Sequence, residues 1–123
     1  MRQQWSLAKL WYDDPALHFE VWLHRARARV EVGLHFETRD AARNRRMLDA
    51  IAEELLFIKA ALSDGVEAEP WDKGWTRVYH TLPLEPLLPD FQARLAEHFA
   101  LFVETLEPLR RDAVQMLGGA SGA

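Results

Sequence analysis

"HFEVWLHRARARVEVGLHFE", His18 to Glu37, is the stretch whose reading decides the fold. Phe19, Val21 and Leu23 alternate with His18, Glu20, Trp22 and His24. Beyond the turn "RARAR", Val30, Val32, Leu34 and Phe36 alternate with Glu31, Gly33, His35 and Glu37. A period of two belongs to a strand with one apolar and one polar face, so the stretch predicts a β-hairpin. The tripeptide His-Phe-Glu opens and closes it and puts two imidazoles and two carboxylates on the polar face.

Register decides how those groups meet. With Leu23 opposite Val32, His18 faces Glu37, Glu20 faces His35, His24 faces Glu31, and Trp22 covers Gly33. Every polar pair is then complementary, and this is the register expected. Sliding by two sets His18 opposite His35 and Glu20 opposite Gly33, which is poorer once an imidazole is charged.

Outward from the hairpin the period changes. Leu48, Ile51, Leu55, Ile58 and Leu62 repeat at three and four, which predicts one helix between Thr38 and Leu62. Thr38 or Asp40 caps its start and "SDG", ending at Gly65, stops it. A second hairpin follows, "VEAEPW" and "WTRVYHTL" joined by Asp72-Lys73-Gly74, a loop suited to a type I turn closed by a Gly bulge. That loop pairs Trp71 with Trp75, Glu69 with Arg77 and Glu67 with Tyr79. "PLEPLLPD" is a proline-punctuated linker. A second helix starts at Asp90 on the stripe Phe91, Leu95, Phe99, Phe102 and Leu106, and Pro108 should end or kink it. The first dozen residues fit a strand face (Trp5, Leu7, Trp11) and a helix face (Trp5, Ala8, Tyr12) about equally. The expected order is ββαββα: an α+β domain over residues 1–117, with a four-stranded, mostly antiparallel sheet covered on one face by two helices. Residues 118–123, which include "GGASGA", read as a disordered tail.

Composition narrows the function. A chain of 123 residues without cysteine can make one core but no disulfide, thiol nucleophile or Cys-ligated metal. No apolar run reaches the roughly 20 residues that span a bilayer, and no export signal precedes the first strand, so the expected compartment is the cytoplasm. Net charge is -4, yet residues 25–46 carry +4 and the remainder -8. There is no GxGxxG, P-loop or GxSxG motif, and none of the three serines has a nucleophile's context.

Three groups of residues could carry chemistry. His18, Glu20, His35 and Glu37 offer imidazole and carboxylate ligands for zinc or non-haem iron, or an acid/base pair; a solvated ladder of cross-strand ion pairs is the favoured reading. Trp22, Trp71, Trp75, Tyr79 and Arg77 fall on the outer sheet face, where a large aromatic patch marks an interaction surface unless the N-terminal segment folds over it with Trp5 and Trp11. Arg25, Arg27, Arg29, Arg39, Arg43 and Arg46 gather at the first turn and at the start of the first helix. There they could meet an anion, or simply face water and pair with Asp40, Asp49 or Glu53. His80 and His98 read as core histidines, and Asn44 as a structural amide on the helix's apolar stripe.

The sequence therefore leads to a small cytoplasmic binding module rather than an enzyme. Contact would run through the aromatic outer face, with a homodimer or a protein or peptide as partner. No cofactor and no membrane are expected. The alternatives are a metal- or acid/base-dependent enzyme built on the His-Phe-Glu repeat, and nucleic-acid or anion binding by the arginines. Carboxylates among the rings and the acidic net charge speak against nucleic acid.

Overall fold

A computed structural model describes the backbone of residues 4–121 and the side chains of residues 8–117. The chain is α+β with one antiparallel sheet: β1 (Gln4–Leu10), β2 (Leu17–His24), β3 (Arg29–Phe36), α1 (Ala41–Ala52), α2 (Leu55–Ala61), β4 (Glu67–Pro70), β5 (Thr76–Pro83) and α3 (Pro89–Ser121). The strands lie in the order β1-β2-β3-β5-β4. The sheet thus has five strands rather than four, and the order is βββααββα rather than ββαββα.

The fifth strand is the N-terminal segment. Ser6 pairs with Trp22 but Ala8 with Val21, so the register shifts by one at Leu7. A bulge of this kind breaks the alternation, which explains why neither a strand nor a helix pattern ran cleanly through these residues. The segment extends the sheet at its edge beside β2 and does not fold across the outer face. Trp5's side chain lies outside the described residues, and Trp11 is exposed.

The first hairpin takes the register rejected above: His18 opposite His35, Glu20 opposite Gly33 and Leu23 opposite Val30. The turn explains it. Arg25–Arg27 form one 3-10 turn and Ala28 takes a left-handed conformation at φ 52, so a four-residue loop joins two strands paired over all eight positions. With Leu23 opposite Val32, the ladder would either stop at His24 and Glu31 and open a six-residue loop, or go on by setting Arg25 opposite Val30 on the apolar face. The second hairpin has the expected register, Glu67 with Tyr79 and Glu69 with Arg77. Its turn places both Lys73 (φ 63) and Gly74 (φ 78) at positive φ, not Gly74 alone.

The inner sheet face carries Leu17, Phe19, Val21, Leu23, Val30, Val32, Leu34, Phe36 and Val78, all buried against Met47, Leu48, Ile51, Ile58, Phe102 and Leu106 of the helices. Phe19 and Phe102 meet edge to face at 6.4 Å between ring centroids. Asp40 caps α1 by accepting from the Arg43 amide. The single helix expected to run as far as Leu62 breaks after Ala52, where the Glu54 amide bonds the Ile51 carbonyl three residues back. No glycine or proline marks this break; it leaves Leu56 and Phe57 exposed. α3 instead runs through Pro108, which sits on its exposed side where water reaches the carbonyl left without a donor. Its backbone stays helical from 118 to 121, within the expected tail; residues 122 and 123 lie outside the described residues. No helix among the described residues is long and apolar enough to cross a membrane.

Candidate functional site

Among the described residues no helix lies over the outer sheet face, yet its centre is closed. His18 is 2%, Glu20 7%, Glu31 1% and His35 1% exposed. Aromatic rings supply the cover. Trp71 stands edge-on to His35 at 5.6 Å and to Trp22 at 5.9 Å, and Trp22 stands edge-on to His35 at 6.4 Å. The Arg77 guanidinium lies over both Trp71 and Tyr79, at 4.9 and 4.1 Å. The two groups of residues singled out separately, the His-Phe-Glu repeat and the aromatic face, are therefore one site: an ionic cluster beneath a partial roof of rings. Trp22, Trp71, Trp75 and Tyr79 are half-buried, and none belongs to the openly exposed aromatic surface, which among the described residues consists of Trp11, Tyr12 and Phe57.

Inside the cluster the imidazoles of His18 and His35 stack at 5.3 Å, nearly parallel at 16°. Each is held by oxygen at both nitrogens. His18 Nδ1 faces the Pro15 carbonyl at 2.9 Å, and its Nε2 faces Glu20 Oε1 at 3.0 Å and Glu37 Oε1 at 3.9 Å. His35 Nδ1 faces Glu37 Oε2 at 3.1 Å, and its Nε2 faces Glu31 Oε2 at 2.9 Å. The other Glu31 oxygen accepts from Arg77, whose second terminal nitrogen donates to Glu69 at 2.8 Å. The histidine-on-histidine register is thus tolerable because the shorter carboxylate contacts run along the strands, two and four residues away, and the 3.9 Å approach of His18 to Glu37 crosses between them. Gly33 makes it possible. A Cβ there would meet His35 Nε2 at 3.1 Å and Glu31 Oε2 at 3.2 Å, the two atoms whose hydrogen bond passes over it.

Burial alone would keep His35 neutral. The hydrogen bonds to Glu31 and Glu37, with their charges, outweigh it and raise the ring from the usual 6.5 to about 9. Burial also pushes the Tyr79 hydroxyl up to about 12, helped by its hydrogen bond to Glu69. At the edge of the cluster, burial lowers His24, with Arg27 and Arg77 adding to it against the opposing pull of Glu31.

The ligating atoms of His18, His35 and Glu37 lie within 4.8 Å of one another. Ligands at 2.0–2.2 Å from a tetrahedral ion lie about 3.3–3.6 Å apart, so closure onto an ion takes side-chain rotations that draw the most separated of these atoms together by about 1 Å. Glu31 and its clamp Arg77 are the parts of this site that the sequence did not single out together. Glu31 and His35 lie four residues apart on one face of β3, so they meet whatever the hairpin register, and His24 also approaches Glu31 at 3.8 Å.

The arginines scatter. Arg27 and Arg29 reach a cleft with Arg77, Arg25 lines a separate groove against Leu84 and Pro86, and Arg43 approaches Asp14 at 3.9 Å. Arg45, rather than Arg43 or Arg46, pairs with Asp49. Arg39 and Arg46 are exposed on the segment that opens α1, away from the cleft. His80 and His98 form a pair, Nδ1 to Nε2 at 3.1 Å. Comparisons of the chain with protein-family models, with curated proteins and with solved structures found no match.

Proposed function

We propose that this protein binds one divalent first-row metal ion in the outer-face cluster, through His18 Nε2, His35 Nδ1 and the Glu37 carboxylate, with Glu20 beside them. One observation carries the reading. Both imidazoles present a nitrogen to the two oxygens of the same carboxylate, while the opposite nitrogen of each is held by an acceptor, the Pro15 carbonyl or Glu31. Metal-ligating histidines are held this way, because the outer hydrogen bond fixes tautomer and ring orientation. Glu37 makes no ion pair with an arginine or lysine among the described residues; its partners are the two imidazoles. Two nitrogens and one or two carboxylate oxygens suit zinc or ferrous iron better than magnesium or calcium. The surrounding rings keep water from competing for the ligands, and Glu37, the most exposed member, faces the way in.

Native mass spectrometry of the untagged protein tests this. One ion per chain is expected, lost on chelation and retained by Trp75→Ala. His35→Ala should abolish it, and Glu31→Gln should weaken it about 10–100-fold, the usual effect of removing a ligand's outer hydrogen-bond partner. A dimer with no added mass, disrupted by Trp75→Ala, would overturn the metal reading in favour of the aromatic roof as an interface between two copies.

A further inference from the structure

At the end of the outer face where β2 turns into β3, beside His24, lies a cleft of about 270 Å³ lined by His24, Arg27, Arg29, Glu31, Glu67, Arg77, Tyr79 and Thr81 together with Gly65. It is small compared with the 300–1,000 Å³ that holds a drug-sized molecule, so its natural occupant is a compact one. We propose that it binds a small phosphate dianion, either free or as a monoester, with Arg27 and Arg29 as the principal contacts.

The cations in its wall divide into committed and available, and the Glu67 carboxylate, held among the described residues only by the Tyr79 hydroxyl at 3.3 Å, is the one opposing charge that no cation in the wall pairs. Arg77 is spent on Glu31 and Glu69, and the Tyr79 hydroxyl on Glu69 and, more loosely, on Glu67. Glu31 is 1% exposed and turned toward Arg77 and His35, so its charge is answered before any ligand arrives. Arg27 and Arg29 are exposed, and neither makes an ion pair with a carboxylate among the described residues. Arg29 donates to Thr81 Oγ1 at 3.3 Å, which leaves the threonine O–H to donate into the cleft. Two guanidinium forks and a hydroxyl around so small a space present more donors than a monocarboxylate has oxygens, whereas a tetrahedral phosphate can accept from all of them. The left-handed Ala28 holds the two arginines on one tight turn, and the Leu84 amide donates to the Ala28 carbonyl at 2.8 Å, tying that turn to the end of β5. Of the two principal contacts, Arg29 opens β3 and Arg27 stands on a turn that is tied to the end of β5. It uses none of the metal ligands proposed above, so either site can fail without the other.

The test is isothermal titration of the full-length protein at pH 7 and low salt with inorganic phosphate and with glycerol 2-phosphate. Saturable binding of one equivalent of either is expected, and binding of phosphate without the ester would mark the free ion as the occupant. Arg27→Ala and Arg29→Ala should each weaken it roughly tenfold, the scale of a charge-assisted hydrogen bond. Both positions are exposed, so the circular dichroism spectrum should not change. Arg45→Ala, which removes the same charge from the exposed side of α1, should leave binding intact. Equal weakening by Arg45→Ala would show a response to net charge alone and overturn the site. So would no saturable binding of either compound, or binding of a single-stranded oligonucleotide that neither compound displaces.

Discussion

Gly33 sits where no other residue fits comfortably. It lies in the middle of the central strand, opposite both Glu20 and Tyr79, and the His35–Glu31 hydrogen bond spans it. A methyl group there would press on that bond and, at 3.2 Å, on the Tyr79 Cβ. Neither neighbour can retreat freely, since Glu31 is clamped by Arg77 and Tyr79 lies under its guanidinium. Gly33→Ala should therefore cost about 1–3 kcal/mol, the usual scale of overpacking, although alanine is the better strand former of the two. Urea denaturation reads the cost. NMR titration should also find His35 losing its proton at lower pH, because its partner at Nε2 has been displaced. A variant of unchanged stability would mean that the ladder over Gly33 is slack. The sequence reading placed Trp22 over this glycine, an error of register, since Glu20 is the residue opposite it.

At the scale of elements, one buried amide joins the helical layer to the second hairpin. The Asn44 side chain accepts from the Thr38 amide at 3.0 Å and from the Thr38 hydroxyl at 2.7 Å, and donates to the carbonyls of Thr38 and Gly74, both at 3.0 Å. Its own carbonyl accepts from the Thr76 hydroxyl at 2.8 Å. Asn44→Ala strands these groups where water is scarce, so a loss of about 2–3 kcal/mol is expected in chemical denaturation, whereas Thr76→Val should cost closer to 1. A loss under about 0.5 kcal/mol for Asn44→Ala would show that packing alone holds α1 against the hairpin. That Asn44 is structural was legible from its place on an apolar stripe. The second hairpin was legible too, because a three-residue loop leaves one register open. The first was not, because "RARAR" admits loops of four or six residues and only the fuller pairing of both strands decides between them. The break between α1 and α2 had no sequence signal, and Pro108 gave a false one because it falls on solvent.

Across the whole molecule, protonation links the cluster to stability. His35 is raised to about 9, so below pH 6.5 its proton is held in both the folded and unfolded chain and its stabilisation is fully present. As pH rises through 9, the folded ring releases its proton and up to about 3 kcal/mol is lost. His24, His80 and His98 are shifted the other way, each mainly by burial, so they favour the folded chain above pH 6.5 and penalise it as pH falls. Metal-free protein should thus be most stable near pH 6.5 and weaken toward both sides, as followed by urea midpoints in the presence of a chelator. The site itself was half legible. Its histidines and carboxylates could be read from the repeat, whereas its burial could not, since a strand's polar face ordinarily points at water and only the folded rings close it. A bound ion should reverse the alkaline slope. It occupies His35 Nδ1 in place of the proton, so its affinity grows as the proton is lost, and it stabilises the folded state by an amount that rises with pH. Midpoints measured with and without one equivalent of zinc should therefore diverge between pH 6.5 and 9. Parallel curves would remove the metal site. A flat metal-free curve over that window would instead remove the charged His35 on which the cluster's geometry depends.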